Sequence, residues 1–375
     1  MNNPFTIKVI HDSDNFCNRS EEIKRLMNYA ENNTNIVLFS PRRYGKTSLA
    51  RLVQKNLNRK GFILLYIDLF GLSSIDNIAG RIAKGVYQGI QPHKTLMKKA
   101  LDILKTFRPV MRPTEDGLSI SVETATPNLF GADLLDKTME DLGYFISGGS
   151  KKINIVFDEF QEISGVGDAN IEALLRTHIQ EHKASYFFIG SRRRVLLEMF
   201  NQKKRPFFQS AVNIQLDLLP HDELVTFIKR KFEQGGKKCS LQLANNIVEL
   251  ASDHPYYTQK LSLFIYDTID GSVKKEDVIT GFKTLMADES YLFETIVQAL
   301  SPQQIALLKA VGRESSKSVL STEYMKKHGL KSIGGVQAAL RKLITLDYIE
   351  KNQKGMWKIV DPIFERWLNI SEPRS

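Results

Sequence analysis

The chain has 375 residues, 42% of them hydrophobic and 25% charged, which allows two or three domains of ordinary globular composition and excludes both a disulfide-stapled miniprotein and large-scale disorder. The 52 Lys+Arg against 42 Asp+Glu give a net charge of +10, which points to an anionic partner: nucleotide, nucleic acid or a membrane surface. Cys17 and Cys239 lie far apart with no His or Cys at metal-ligand spacing, so neither a zinc site nor a disulfide framework is expected and a reducing, cytoplasmic setting fits best.

Residues 1–14 lack a basic stretch followed by an apolar core and do not read as a secretory signal. The first informative element is the apolar run Asn35 to Phe39, which predicts a buried strand ending at Ser40-Pro41. After Gly45, the segment Lys46 to Asn58 carries Leu49, Leu52, Val53 and Leu57 at helical spacing,. A second strand is predicted at Phe62 to Phe70, too short to cross a membrane, which needs ~20 residues, and then a helix around Ile75 to Ile90. Third and fourth strands are expected at Ile153 to Phe157 and Ser185 to Ile189. Continuously apolar strands alternating with helices predict a parallel sheet covered on both faces. An insertion, about 93–128, has two prolines leading into the alternating run Leu118 to Val122, and reads as a helix followed by a hairpin or strand added to the sheet edge.

From Pro220 the strand pattern stops. Apolar periodicity over Asp222 to Phe232, Leu241 to Ala251 and Tyr256 to Ile269 predicts a helical domain. A helix then starts at Pro302, Thr322 to His328 is stopped by Gly329, and a third helix covers Ile333 to Leu346. Tyr348 to Lys351 and Met356 to Val360 flank a short turn, so the ending reads as a winged helix-turn-helix. The expected division is an α/β core over 1–217, a helical lid over 218–298 and a winged helix over 299–375. Residues 301–375 hold 13 basic and 7 acidic side chains, so most of the excess charge lies in the last part.

Ser40-Pro41-Arg42-Arg43-Tyr44-Gly45-Lys46-Thr47 follows the phosphate-loop pattern GxxxxGK[ST], with Ser40 in place of the first glycine. Gly45 permits close backbone approach, the loop and helix N–H groups cradle phosphates, and Lys46 supplies a charge to the terminal phosphates. Thr47 would ligate Mg²⁺. If the loop needs a left-handed residue at Ser40, that costs about 1–2 kcal/mol. The strand Ile153 to Phe157 ends in Asp158-Glu159, at the C-terminal end where α/β sheets bind ligands. Asp158 would hold Mg²⁺ through water, and Glu159 would orient the attacking water.

In combination with Phe16 to Ile23, the run Pro41 to Leu49, Asp158-Glu159-Phe160-Gln161, His254-Pro255-Tyr256-Tyr257 and Val360 to Trp367, these residues resemble the archaeal-type ATPase family, a branch of the AAA+/STAND P-loop ATPases with an attached winged helix. The resemblance implies an AAA+ core, a helical lid and a winged helix, with ATP and Mg²⁺ as cofactors. It implies that Ser48 joins the phosphate site and that Asn18, Arg19 and the Pro255 turn bracket the adenine. It also places Ser191 and Arg192 where such ATPases carry a γ-phosphate sensor, against the alternative that Arg192-Arg193-Arg194 is a solvated basic patch. The family's Pro-Leu-Tyr-Gly-Arg element is here Pro206-Phe207-Phe208-Gln209-Ser210, without its arginine, and the role does not transfer to Arg205. Loss of an arginine finger costs about 10³–10⁵ in rate, so slow turnover is expected.

The winged helix presents Ser332, Gln337, Arg341 and Lys342, with Lys351, Lys354 and Lys358 in the wing. These residues suit duplex DNA, yet the fold also serves as a protein-docking unit. Lys326, Lys327 and Lys331 are also what a solvated helix shows. Trp357 and Trp367 are read as core. Two functions are carried forward: a nucleotide-driven switch whose lid motion repositions the winged helix, and a nucleotide-sensing DNA-binding regulator with little turnover. No membrane partner is expected, and an oligomer is compatible with either.

Overall fold

A computed structural model describes residues 3–10, 14–91, 94–114, 117–167 and 170–370; His93, at the start of the expected insertion, lies outside them. The chain divides into two compact units, Arg19–Asp217 and Met1–Asn18 with Leu218–Ser375.

The first unit opens with α1 (Ser20–Glu31), β1 (Ile36–Phe39), α2 (Lys46–Arg59), β2 (Ile63–Asp68) and α3 (Ile75–Ile90). It continues through α4 (Lys94–Ile103), the hairpin β3 (Phe107–Thr114) and β4 (Gly117–Thr124), α5 (Gly131–Ser147) and β5 (Ile153–Asp158). A 3₁₀ turn (Phe160–Gly165), α6 (Ile171–Glu181), β6 (Ser185–Gly190), α7 (Arg193–Asn201) and β7 (Val212–Gln215) complete it. The five-stranded sheet has the order β2-β5-β6-β1-β7 and is parallel throughout. Every residue of β1, β5 and β6 is buried, as expected of strands covered on both faces. The α2 residues Leu49, Leu52, Val53 and Leu57 are all buried. β7 adds an edge strand on β1 that the apolar runs did not indicate.

The insertion is a helix followed by a hairpin, as expected, but it is not added to the sheet edge. β3 and β4 pair with each other as a separate two-stranded sheet and do not extend the main one. The N–H of Ala125 donates to the Thr106 carbonyl, so the even-numbered residues of β3 face β4. Pro109 and Pro113 fall on the outward parity, where they lack the N–H groups a further strand would need. The hairpin is fixed instead to the helices: the Tyr87 hydroxyl donates to the Phe107 carbonyl at 2.8 Å, and the buried Asp141 carboxylate accepts from the Thr106 N–H (3.1 Å) and hydroxyl.

The second unit contains α8 (His221–Gln234), α9 (Leu241–Leu250), α10 (Pro255–Thr268) and α11 (Lys275–Gln298). The winged helix follows as α12 (Pro302–Arg313), α13 (Thr322–Lys327), α14 (Ile333–Thr345), β8 (Ile349–Lys351), β9 (Trp357–Ile359) and α15 (Pro362–Ile370). Ser301, Ser321 and Ser332 cap their helices by accepting from the Gln304, Tyr324 and Gly335 N–H groups,. Gly329 ends α13 at φ 65°, the left-handed stop its position suggested. One apolar core runs through helical region and winged helix alike. Phe5 belongs to it, its ring 4.7 Å from that of Phe232, because a buried phenylalanine in an otherwise irregular segment docks where apolar area is available. Trp367, half-buried, packs against this core with its ring 5.8 Å from that of Phe293.

Candidate nucleotide site

The C-terminal ends of β1, β5 and β6 lie side by side and bring the loop Ser40 to Gly45, the Asp158-Glu159 pair and Ser191 to one edge of the sheet. Gly45 stands at φ 89° directly before α2, and a Cβ there would meet nothing within 4 Å. Backbone conformation is therefore what calls for glycine. Ser40 does not adopt a positive φ, so the serine carries no left-handed penalty. Arg43 does, at φ 65°. Arg42 and Arg43 are exposed, Tyr44 is half-buried and Ser48 is buried in the first turn of α2.

Lys46 is 6% exposed. Its Nζ donates to the carbonyls of Ser40 and Pro41, each at 2.9 Å, and to Ser40 Oγ at 3.3 Å. Burial lowers its pKa to about 8, with Arg42 adding to the effect and Glu159 and Asp158 opposing it. The unfolded chain therefore holds more protons between about pH 8 and the ordinary lysine value, so Lys46 makes stability rise with pH across that window. An arriving phosphate favours the charged ammonium. ATP binding near pH 8 is accordingly expected to take up a fraction of a proton, read as a dependence of calorimetric heat on buffer ionisation enthalpy, and affinity is expected to fall above that pH.

Asp158 sits at the end of β5. Its Oδ2 accepts from Thr47 Oγ1 at 2.9 Å and from the Tyr66 hydroxyl, and its Oδ1 accepts from the Glu159 N–H at 3.0 Å. Burial raises its pKa, while the Tyr66 and Thr47 hydrogen bonds pull the other way. Glu159 adopts φ 53°, and its Oε2 accepts from Ser191 Oγ (2.9 Å), the Ser191 N–H (3.3 Å) and Gln161 Nε2 (2.5 Å). Gly190 precedes Ser191 for a spatial reason: a Cβ there would lie 2.0 Å from Gln161 Oε1. The hydroxyl of Thr47 and the carboxylate of Asp158 are hard oxygen donors brought within hydrogen-bond distance, a set that fits Mg²⁺. The Lys46 ammonium and the N-terminus of α2 fit a polyphosphate.

Other predicted residues are placed differently. Arg192 is half-exposed and 3.7 Å from Glu162 Oε1. Arg19 is buried, its guanidinium donating to Glu22 Oε1 at 2.8 Å and to the Asp217 carbonyl at 2.5 Å, so it ties the two ends of the first unit together. Asn18 ends the N-terminal segment of the second unit, where Pro255 is the first residue of α10. Arg205 pairs in bidentate fashion with Glu172, and Ser210 Oγ donates to the Phe207 carbonyl at 2.7 Å. Tyr66 and the Gln161 contact to Glu159 were not singled out from sequence. The signal was there for Gln161, inside Asp-Glu-Phe-Gln, and faintly for Tyr66, which shares a strand face with Asp68.

A phosphate loop between β1 and α2, with an acidic pair ending β5 in a fully parallel sheet, defines the first unit as a P-loop ATPase core. The chain belongs to the family described as the ATPase domain predominantly from Archaea, which matches residues 16–261; residues 291–370 match a probable winged helix domain. No curated protein matches in sequence. Among solved structures, the chain is similar to a Walker-type ATPase of Pyrococcus abyssi, at 18% identity and TM-score 0.72, covering 98% of this chain and 99% of that one. It is also similar to the ORC2 protein of Aeropyrum pernix, solved as ADPNP-ADP complexes, at 13% identity and TM-score 0.57, covering 98% and 99%. These likenesses establish the AAA+-type fold with its winged helix. Among the described residues, no helix is long and apolar enough to cross a membrane.

Proposed function

We propose that the chain binds ATP with Mg²⁺ at this loop, hydrolyses it slowly, and uses the nucleotide state to control its winged helix. The observation that carries the proposal is the direct Thr47–Asp158 contact at 2.9 Å, which joins the phosphate loop to the acidic strand with Glu159 adjoining. Thr47 and Asp158 would hold Mg²⁺, which when bound neutralises charge on the phosphate oxygens. Lys46 would exchange its three loop contacts for phosphate oxygens. Ser191 and Gln161 hold the Glu159 carboxylate in one orientation, from which it can accept a proton from water. Arg192 would reach the terminal phosphate. The missing family arginine at Ser210 and the commitment of Arg205 to Glu172 support slow turnover. Phosphate release by the wild type and Glu159→Gln tests the proposal.

The switch also needs the winged helix to answer to the helical region, and contacts within the second unit support this. The Tyr257 hydroxyl of α10 donates to Asp361 Oδ2 at 2.5 Å, and Asp361 Oδ1 accepts from the Ile363 and Phe364 N–H groups that open α15. Arg366 of α15 donates to the Glu249 carbonyl (3.0 Å) and to Ser252 Oγ (3.3 Å). A hydrogen bond to a charged partner is worth about 1.5–3 kcal/mol. Tyr257→Phe is therefore expected to lower the melting temperature by several degrees and to separate the loss of helical-region protection from that of the winged helix in hydrogen exchange. An unchanged melting temperature, with protection in both regions still lost in one step, would contradict a coupling role for this hydrogen bond.

The second reading, a DNA-binding regulator that senses nucleotide, is favoured by the exposure of Ser332, Gln337, Arg341 and Lys342 along α14 and of Lys351 and Lys354 in the wing. It requires duplex affinity that falls steeply with salt and is weakened by Arg341→Glu. Failure to bind duplex at low salt, with and without ATP, removes it.

A further inference from the structure

Tyr66 occupies a place in the site that phosphate-loop chemistry does not by itself require. Strand alternation puts Ile63, Leu65 and Ile67 on one face of β2, where α3 approaches so closely that a Cβ on Gly85 would lie 2.5 Å from Ile67 Cγ1. Leu64, Tyr66 and Asp68 take the opposite face, the side from which α2 reaches the strand: Gln54 Nε2 donates to the Leu65 carbonyl at 3.1 Å. The Arg51 guanidinium lies 3.3 Å from the centre of the Tyr66 ring, a cation–π contact. Arg51 is four residues beyond Thr47, on the same face of α2. The result is a closed circuit in which Thr47 and Tyr66 both donate to Asp158 Oδ2, and Arg51 holds the tyrosine ring from the helix that carries Thr47.

A carboxylate offers about four acceptor positions. Here two on Oδ2 and one on Oδ1 are occupied from within the protein, leaving one on Oδ1 for a water. Without the phenol, Thr47 would be, among the described residues, the one side-chain donor left to Asp158, and the carboxylate would be held on each oxygen by a single donor. On the reading of Thr47 and Asp158 as the Mg²⁺-holding pair, we propose that Tyr66, supported by Arg51, is a positioning residue that fixes the Asp158 carboxylate for Mg²⁺ and thereby sets how strongly Mg²⁺ tightens nucleotide binding. Partners of metal-holding groups typically contribute 10–100-fold to metal affinity.

The test titrates Mg²⁺ against wild type, Tyr66→Phe and Arg51→Met, each holding a fluorescent ATP analogue, and reads nucleotide affinity rather than turnover. Tyr66→Phe keeps the ring and its cation–π contact and removes one oxygen. It is expected to leave affinity in EDTA within twofold of wild type and to raise the Mg²⁺ concentration for half-maximal tightening about tenfold. Arg51→Met is expected to shift it in the same direction by a smaller factor. If wild type shows Mg²⁺-dependent tightening and Tyr66→Phe matches its midpoint, the positioning role is wrong while the Mg²⁺ pair stands. If wild type shows no Mg²⁺ dependence, both fall. Equal losses in EDTA and in Mg²⁺ would mark Tyr66 as a packing residue and overturn the proposal.

Discussion

Lys46→Ala is expected to weaken ATP binding by about 10²–10³. The ammonium is buried and, among the described residues, makes three contacts, all to loop oxygens and none to a carboxylate. A buried cation without a bonded anion is costly, and its lowered pKa reports that cost. The site thus holds a charge whose best partner arrives with the ligand. Two charge-assisted hydrogen bonds to phosphate oxygens at about 1.5–3 kcal/mol each, less what is lost in giving up the loop carbonyls, leave about 3–4 kcal/mol. Calorimetric titration with ATP in Mg²⁺ measures the change. The folded state should survive, because the substitution removes the buried charge along with its bonds. Affinity equal to wild type in a well-folded variant would mean that nucleotide, if bound at all, binds elsewhere.

Glu159→Gln should bind ATP and Mg²⁺ nearly as well as wild type and lose turnover by about 10²–10⁴, the range for a general base. The amide keeps an oxygen that can accept from Ser191 Oγ but cannot take a proton from water. The geometry is the reason this carboxylate, and not its neighbour, is proposed as the base. Both Asp158 oxygens are engaged by Thr47, Tyr66 and the Glu159 N–H. The left-handed turn at Glu159 sends its side chain toward Ser191, just past the end of the adjacent strand β6, and toward Gln161 in the 3₁₀ turn that follows Glu159. Two adjacent acids are thereby held apart by backbone conformation and given different partners.

What could be read from the residues follows the range of the forces involved. Strands β1, β5 and β6 are visible as continuous apolar runs because both faces are covered, and β2 because its half-buried second face still carries Leu64 and Tyr66. The loop from Ser40 to Thr47 is visible because its chemistry is local. β7 escaped notice: only Ile214 of its four residues is buried, so an edge strand held chiefly by backbone bonds leaves little apolar signature. α11 carries charged and apolar residues in mixed order over 24 positions, and its helical spacing is correspondingly blurred. The hairpin's failure to join the main sheet depends on the parity of Pro109 and Pro113, which appears only once the β3–β4 register is known. Arg19 could be recognised as part of a motif, but its bond to the Asp217 carbonyl spans almost the whole unit. Tyr66 meets Asp158 through sheet register, with Tyr66 opposite Val156 and Asp68 opposite Asp158, a relation that no local pattern encodes.

On the proposed function, this phosphate loop and acidic pair turn over ATP. The most direct measurement is phosphate release from saturating ATP and Mg²⁺ by purified wild type and Glu159→Gln, prepared identically and each shown to hold nucleotide. Slow release by the wild type that disappears in Glu159→Gln is the predicted result. Equal release by the two proteins, or none from a wild type with nucleotide bound, would contradict it.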